Sequence, residues 1–206
     1  MSFRPFDWNV VILGAWNRAI FTPQWIAEFL FEVPKNRPVE VEVPLNVPTP
    51  PKVKHEGIAV SVGAGLLEVS AEPCDFDTLE RTCACACRAL QQLPRTPVSA
   101  AGFNVRYRCD EAPVELLQAI ACDIDDAISD AELRIVRRDV TRRLLWGDGV
   151  INTEIGVDES GLTSIALNFH KNSVEHSELK RWLETPIGGV KVRTETLLAA
   201  LPGVEI

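Results

Sequence analysis

The stretch GFNVRYR (residues 102–108) has the same order of an aromatic residue, Asn and Val as DWNVVIL (residues 7–13). Further matches follow along the chain in the same order, at similar offsets: Pro23 with Pro113, Gly65-Leu66 with Gly161-Leu162, and Leu79 with Leu179. A single three-residue match can arise by coincidence between two amphipathic strands. The ordered series instead favours an internal duplication with small loop insertions and deletions.

The first half has a clear order of predicted elements. The apolar run VVIL predicts a covered strand, and Thr22-Pro23 predicts the start of a helix. VEVEV (39–43), IAVSV and LLEVSA predict three more strands, the last two a hairpin, with a break at the four prolines of residues 44–51. From Asp75, Leu and Cys at helical spacing predict an amphipathic helix.

The second half repeats this order. A strand at 98–108 is followed by a predicted helix, by strands near 132–145, 150–157 and 162–169, and by a helix containing Leu179, Trp182 and Leu183. The first of these helices has one predicted apolar face: Leu116, Leu117, Ile120, Ala121, Ile124 and Ile128. After the last strand and helix, TPIGG predicts a chain break, and TETLLAAL predicts a short helix that ends at Pro202-Gly203.

These patterns predict one α+β domain over residues 1–206. We expect pseudo-repeat halves 1–96 and 97–185, each β-α-β-β-β-α, that form a largely antiparallel curved sheet with the helices on one face. Residues 186–206 are expected to form a helical tail outside the repeat. The element order resembles the duplicated saddle of the TATA-box-binding protein fold. That resemblance is one of element order alone and implies no function.

Composition narrows the class of protein. The chain is 46% hydrophobic and 24% charged, as in ordinary globular proteins, and its formal net charge of −8 disfavours nucleic-acid binding. The N-terminal stretch carries Arg4 and Asp7 before an apolar run that is too short for a signal peptide or a membrane span. We therefore expect a cytoplasmic protein, with no membrane association, whose oligomeric state stays open.

The six cysteines are expected to be reduced thiols in that compartment. In TCACACRAL (82–90), Cys83 and Cys87 are four residues apart and can present two thiolates to a metal ion. The second ligand pair of a zinc site is missing, and both residues lie on the apolar stripe. We therefore expect them to face the sheet without metal. Cys85, on the other side of the helix, is expected to be the more exposed thiol, without an assigned role.

Other chemical motifs are weak. His170 and His176 lie near Glu175 and Glu178, and imidazole with carboxylate can bind metal or transfer protons. The simpler interpretation is a set of polar residues around a helix N-terminus. The glycines of VGAGLL join two predicted strands, which indicates a hairpin instead of a phosphate-binding loop. The sequence thus favours a non-enzymatic protein without cofactor or metal, while catalysis stays open.

The most distinctive segment is LRIVRRDVTRRLLW (133–146), which has five arginines within residues 134–143 of an acidic protein. In an extended strand Arg134, Arg138 and Arg142 share one face. If the strand at 98–108 lies nearby, Arg106 and Arg108 extend that face into a surface suited to carboxylate or phosphate groups. The alternative is a solvated face that Glu154 and other acids neutralise.

The sequence therefore predicts a binding protein that holds an acidic macromolecular partner, expected to be a protein, on the arginine-rich part of an open sheet face. The alternative is a small-molecule enzyme or anion-binding protein with a site between the two halves, using the same arginines and His170 or His176. A deep pocket favours the alternative, whereas a broad flat face favours the macromolecular partner.

Overall fold

The computed structural model describes residues 2–34, 37–44 and 50–204. In this part of the chain there are ten strands and six α-helices, so the prediction of mixed α and β structure with largely antiparallel pairing is confirmed. The chain divides into two compact units. The first unit comprises residues 7–104 and 169–187, and the second comprises the residues up to 6, 105–168 and from 188 onwards.

The secondary-structure elements are numbered in chain order. The strands are β1 Arg4–Pro5, β2 Asn9–Gly14, β3 Glu40–Glu42, β4 Lys52–His55, β5 Ile58–Val62, β6 Leu66–Ala71, β7 Val98–Cys109, β8 Arg137–Trp146, β9 Gly149–Asp158 and β10 Thr163–Asn172. The helices are α1 Pro23–Trp25, α2 Phe76–Gln92, α3 Val114–Ile120, α4 Asp123–Asp130, α5 His176–Leu183 and α6 Ile187–Ala199. Strands β7 and β10 contribute residues to both units.

The sheet of the first unit has the strand order β3-β4-β5-β6-β2-β7, and each neighbouring pair is antiparallel. The VVIL run forms β2 inside this order, where Val10 and Ile12 are fully buried. Leu67 and Val69 of β6 lie opposite them in register and are also fully buried. Because opposite residues share a face, these strands build one continuous apolar surface.

Helix α2 packs on this apolar surface. Asp75 caps its start, because the carboxylate accepts a hydrogen bond from the Thr78 N–H at 2.7 Å. Leu79, Ala86 and Leu90 are buried, and the helix contacts β2, β5 and β6. The amphipathic pattern therefore predicted this helix and its buried stripe.

Helix α1 begins where the sequence predicts. The Thr22 hydroxyl accepts a hydrogen bond from the Trp25 N–H at 3.2 Å, and Pro23 occupies the first turn. The helix then widens into a π-helical turn at Ile26–Leu30, in which the Phe31 N–H donates to the Ile26 carbonyl. Both ends of this turn are buried.

Strand β4 was not predicted. It pairs with both β3 and β5, and only Glu56 and Gly57 separate it from β5. Both turn residues have positive φ (44° and 81°), as a type I′ hairpin turn requires. The predicted strand VEVEV is shortened to β3. Residues 45–49 of the predicted proline-rich break, Pro48 among them, lie outside the described residues.

The second unit has the strand order β7-β10-β9-β8, and the short β1 pairs with the end of β7. Strands β8 and β9 form a long antiparallel hairpin whose register runs from Arg137 opposite Asp158 to Trp146 opposite Gly149. The predicted strand near 132–145 therefore starts later, at Arg137, because the chain remains helical to Asp130 and then turns.

The single helix predicted after β7 is wrong. Ala121 and Cys122 are extended and separate α3 from α4, so the six apolar positions do not form one face. Leu116 is buried, whereas Ile124 is 61% exposed. The break has a physical cause: three aspartates follow Cys122, and acidic side chains are favoured in the first turn of a new helix.

The break predicted at TPIGG occurs at Thr185-Pro186, between α5 and α6, but it is shorter than predicted because α6 begins at Ile187 and includes Gly188 and Gly189. Val190, Thr194 and Leu198 recur at helical spacing and are fully buried. Burial of this stripe offsets the low helix propensity of two glycines. No helix in the described part of the chain is both long enough and apolar enough to cross a membrane.

Candidate binding surface around the arginine-rich strand

Strand β8 carries four of the five clustered arginines. Arg134 precedes the strand and forms an ion pair with Glu159. Side chains alternate between the two faces of a strand, so Arg138 and Arg142 share one face, while Arg137 and Arg143 point to the other. Of the three arginines predicted to share a face, Arg138 and Arg142 lie on one face of β8.

The helix-side face of β8 is the face that carries Arg138, Val140, Arg142 and Leu144. Arg138 Nε donates a hydrogen bond to Asp125 Oδ2 of α4 at 2.7 Å. This hydrogen bond is the main reason why the pKa of Asp125 lies below its ordinary value. Arg138 therefore ties α4 to the sheet and is not a free cationic group.

Arg142 differs from Arg138 because it has no acidic partner among the described residues. Its side chain is exposed, and its one hydrogen bond within that part of the chain runs from Nη1 to the Thr141 carbonyl at 2.8 Å. Thr153 lies opposite it on β9. The Arg142 guanidinium therefore keeps most of its donors available for a ligand.

The polar face of β8 is the opposite face, formed by Arg137, Asp139, Thr141 and Arg143. Arg137 Nε donates to Asp139 Oδ1 at 2.8 Å, and its guanidinium lies 3.8 Å from Glu154. Arg143 Nε donates to Asn152 Oδ1 at 2.9 Å. Glu154 thus pairs with an arginine of this strand, as the interpretation of a neutralised face expected. Arg143 has an uncharged partner in this contact.

Arg106 and Arg108 do not join Arg138 and Arg142. They lie on β7, and both β10 and β9 separate β7 from β8 in the strand order. Arg106 and Arg108 alternate with buried Val105 and Tyr107. The Arg108 guanidinium lies over the Phe6 ring, 5.4 Å from its centroid. With a strand spacing of about 4.8 Å, β7 lies roughly 14 Å from β8, which is too far for one compact anion site.

Strand β8 has one edge without a partner strand in the described residues, because it ends the strand order. The strand is ten residues long, and Leu145 near its end is 91% exposed. In an antiparallel pair, alternate residues direct their N–H and C=O groups away from the partner, here towards the uncovered edge. A long exposed edge is a template for a further strand.

A cavity of about 320 Å³ lies under the helix-side face of β8. Its walls come from β8, β9, β10, α3 and α6, all in the second unit. Nearly all lining side chains are apolar; Arg142 and Thr153 are the polar exceptions. The sequence pattern does not indicate this cavity, because α3 and α6, which line it, have other boundaries than those predicted: α3 ends at Ile120, and α6 begins at Ile187.

The cysteines of α2 are buried on both sides of the helix. Cys83 and Cys87 line a recess beside the end of α5, and Cys87 Sγ lies 3.8 Å from the Lys180 carbonyl oxygen. Burial raises the pKa of Cys85 and of Cys87 to about 12. No cluster of three or more potential metal ligands occurs within residues 2–34, 37–44 and 50–204.

The expected exposure of Cys85 is wrong, because this side chain is fully buried. Helix α2 contacts the π-helical turn and α5 in addition to the sheet. Arg88 Nε, also on α2, donates to the Leu30 carbonyl of that turn at 2.6 Å. The helix is therefore covered on more than one side, which a single apolar stripe does not indicate.

The two histidines lie in the first unit, whereas the arginines of β8 lie in the second. His170 Nε2 is 2.9 Å from Asn172 Oδ1. His176 begins α5, and its ring nitrogens lie 3.3 Å from the Leu90 carbonyl and 2.7 Å from the Thr96 carbonyl. His176 therefore links the start of α5 to the end of α2, so its contacts are those of a residue with a structural role.

No family model matches this chain, and neither a curated protein nor a solved structure matches it. The candidate sites therefore rest on the geometry of the second unit.

Proposed function

We propose that this protein is a non-enzymatic binding protein of the cytoplasm that holds an acidic protein segment along the outer edge of β8. The segment adds to the sheet as an extended strand. Backbone hydrogen bonds provide the affinity in this mode of recognition, and side chains on the two faces provide the specificity. The observation that carries the proposal is the ten-residue uncovered edge with arginines on both faces.

Charge supports an acidic segment over a basic one. On an added strand, side chains alternate between the same two faces as those of β8. Acidic residues on one face then lie beside Arg137 and Arg143. Arg143 donates to Asn152, which is uncharged, so this hydrogen bond does not neutralise the charge of the Arg143 guanidinium. Each charge-assisted hydrogen bond contributes about 1.5–3 kcal/mol.

A competing explanation assigns the arginines to protection of the edge. Charged side chains on edge strands prevent unwanted pairing with other chains. Under that explanation, β8 rejects every extended peptide, whatever its charge. The two explanations therefore predict different results when peptide binding is measured directly.

The test uses a fluorescent peptide of the same length as β8 with alternating Glu and Val, titrated with the full chain and followed by anisotropy. The first control peptide has Lys in place of Glu. The second control peptide keeps Glu but is N-methylated at alternate residues, so that it cannot form the backbone hydrogen bonds to the edge of β8. The proposal expects binding of the acidic peptide and at least about tenfold weaker binding of each control peptide.

Matched protein variants separate the edge from overall charge. Arg137→Gln with Arg143→Gln should weaken binding of the acidic peptide by at least about tenfold. Lys191→Gln with Arg193→Gln removes the same charge from α6 and should have little effect. Equal binding of the N-methylated peptide, or equal losses in the two double variants, would show that β8 does not capture a strand.

We also propose that the chain contains an internal duplication, with halves 1–96 and 97–185, helices on one face and the tail 186–206 outside the repeat. The strand order supports this: β4-β5-β6-β2 in the first half corresponds to β8-β9-β10-β7 in the second. An experimental structure in which residues 8–93 superpose on residues 103–184, with the helices on the same side, would support duplication. Helices on opposite sides in the two halves would contradict it.

A further inference from the structure

We infer that the cavity of the second unit is a binding site for a single-chain carboxylate amphiphile, such as a medium-chain fatty acid. The inference is independent of the proposed strand capture, because it uses the helix-side face of β8 and not its outer edge. It rests on three features of the cavity: a buried apolar base, an exposed rim, and one arginine without an acidic partner.

Burial changes from the base of the cavity to its rim. At the base, Leu116, Ile165 and Leu198 are almost fully buried. At the rim, Ala119 and Arg142 are exposed. A ligand with an apolar end and a charged end therefore has one favourable orientation, with its chain inside and its head group at the rim.

The volume limits the apolar part of the ligand. Ligand pockets commonly have volumes of about 300–1,000 Å³, and the cavity of about 320 Å³ lies at the lower end of this range. This size suits one acyl chain better than a lipid with two. The apolar walls provide contacts along the chain and few polar groups that would favour a sugar or a nucleotide.

Arg142 selects the head group. A guanidinium makes two parallel hydrogen bonds to a carboxylate, and Arg142 has no carboxylate of the described residues within ion-pair distance. Thr153, opposite Arg142, donates its hydroxyl to the Arg142 carbonyl at 3.3 Å, and its oxygen can still accept a hydrogen bond. A cationic head group would meet only repulsion from Arg142.

The test measures binding of octanoate, decanoate and decanol to the full chain by isothermal titration calorimetry, below the micelle concentration of each ligand. Decanoate should bind roughly tenfold more tightly than octanoate, because it buries two more methylene groups. Arg142→Gln should weaken decanoate binding by at least about tenfold and leave decanol binding unchanged.

Arg143→Gln is the matched control, because Arg143 is the next residue on the same strand and points to the opposite face. It should leave decanoate affinity within about twofold of the unmodified chain. Ala119→Phe, which fills the rim, should weaken both decanoate and decanol. The inference is overturned if decanoate does not bind saturably, if Arg142→Gln and Arg143→Gln have equal effects, or if decanol binds as tightly as decanoate.

Discussion

The buried amide pair at the start of the β2–β7 pairing provides a sharp test of the first unit. Asn104 Nδ2 donates to Asn9 Oδ1 at 2.7 Å, and Asn9 Nδ2 donates to Glu68 Oε1 at 2.9 Å. Asn9 and Asn104 are 4% and 9% exposed. Asn104→Ala removes the donor and leaves the Asn9 oxygen buried without this hydrogen bond, which costs about 1–3 kcal/mol.

The expected change is large enough for thermal unfolding. A loss of 1 kcal/mol lowers the midpoint of a domain of this size by about 2–4 °C, so a loss near 2 kcal/mol corresponds to roughly 4–8 °C. Tryptophan emission is a suitable signal because Trp8, next to Asn9, is 1% exposed. Urea unfolding then gives the free energy of unfolding for each variant.

A double-mutant cycle tests the cause of the effect. Asn9→Ala with Asn104→Ala should cost less than the sum of the single variants, with a coupling energy of about 0.5–3 kcal/mol. Asn152→Ala is the matched control, because Asn152 donates to Asn168 at 2.9 Å in a partly exposed setting and should cost less. Strict additivity, or an Asn104→Ala variant as stable as the unmodified chain, would refute the assigned role of this pair.

Three further outcomes are expected. Cys122 is exposed and should react rapidly with a thiol reagent at neutral pH. Burial raises the pKa of Cys85 to about 12, so Cys85 should react only after unfolding. Mass spectrometry of the modified sites checks both expectations. Asp125→Asn should lower stability at neutral pH. The Arg138 hydrogen bond lowers the pKa of Asp125, so the contribution of Asp125 to stability is present above the ordinary Asp pKa and is lost as pH falls through the lowered value. The urea midpoints of the unmodified chain and of Asp125→Asn should therefore converge below about pH 4. Gly102→Ala should cost about 1–3 kcal/mol in urea unfolding, because its Cβ would lie 2.5 Å from the Phe169 carbonyl oxygen, whereas Gly65→Ala has no atom within 4 Å and should be neutral.

The strongest local patterns predicted elements of the fold well. Residues VVIL gave a buried strand, and Asp75 and Thr22 gave two helix starts, because an apolar periodicity and a capping side chain act within a few residues. Strand β4 was missed because its four residues offer only Val53 as a buried position. The Glu56-Gly57 turn was the available signal for that hairpin.

The candidate site was harder to predict because β8 has arginines at both alternating positions. Arg138 and Arg142 face α4 and the cavity, whereas Arg137 and Arg143 face the other way. Within the strand only the intervening residues differ, with Val140 on the first face and Asp139 on the second. The choice depends on where α3, α4 and α6 pack. The same limit applies to Cys85, which is buried although it lies outside the apolar stripe of α2; this helix contacts the π-helical turn and α5 in addition to the sheet.

The pairing of β2 with β7 adds an independent argument to the proposed duplication. The matched segments WNV and FNV are offset so that Asn9 corresponds to Asn104, 95 residues later. When an approximate twofold axis relates two adjacent antiparallel strands, the residue at the axis must pair with its own equivalent. Asn9 pairs with Asn104 in the register of these strands, and their amides are hydrogen bonded. Under the proposed duplication, the sequence offset and the strand register would place the twofold axis at the same pair of residues, Asn9 and Asn104.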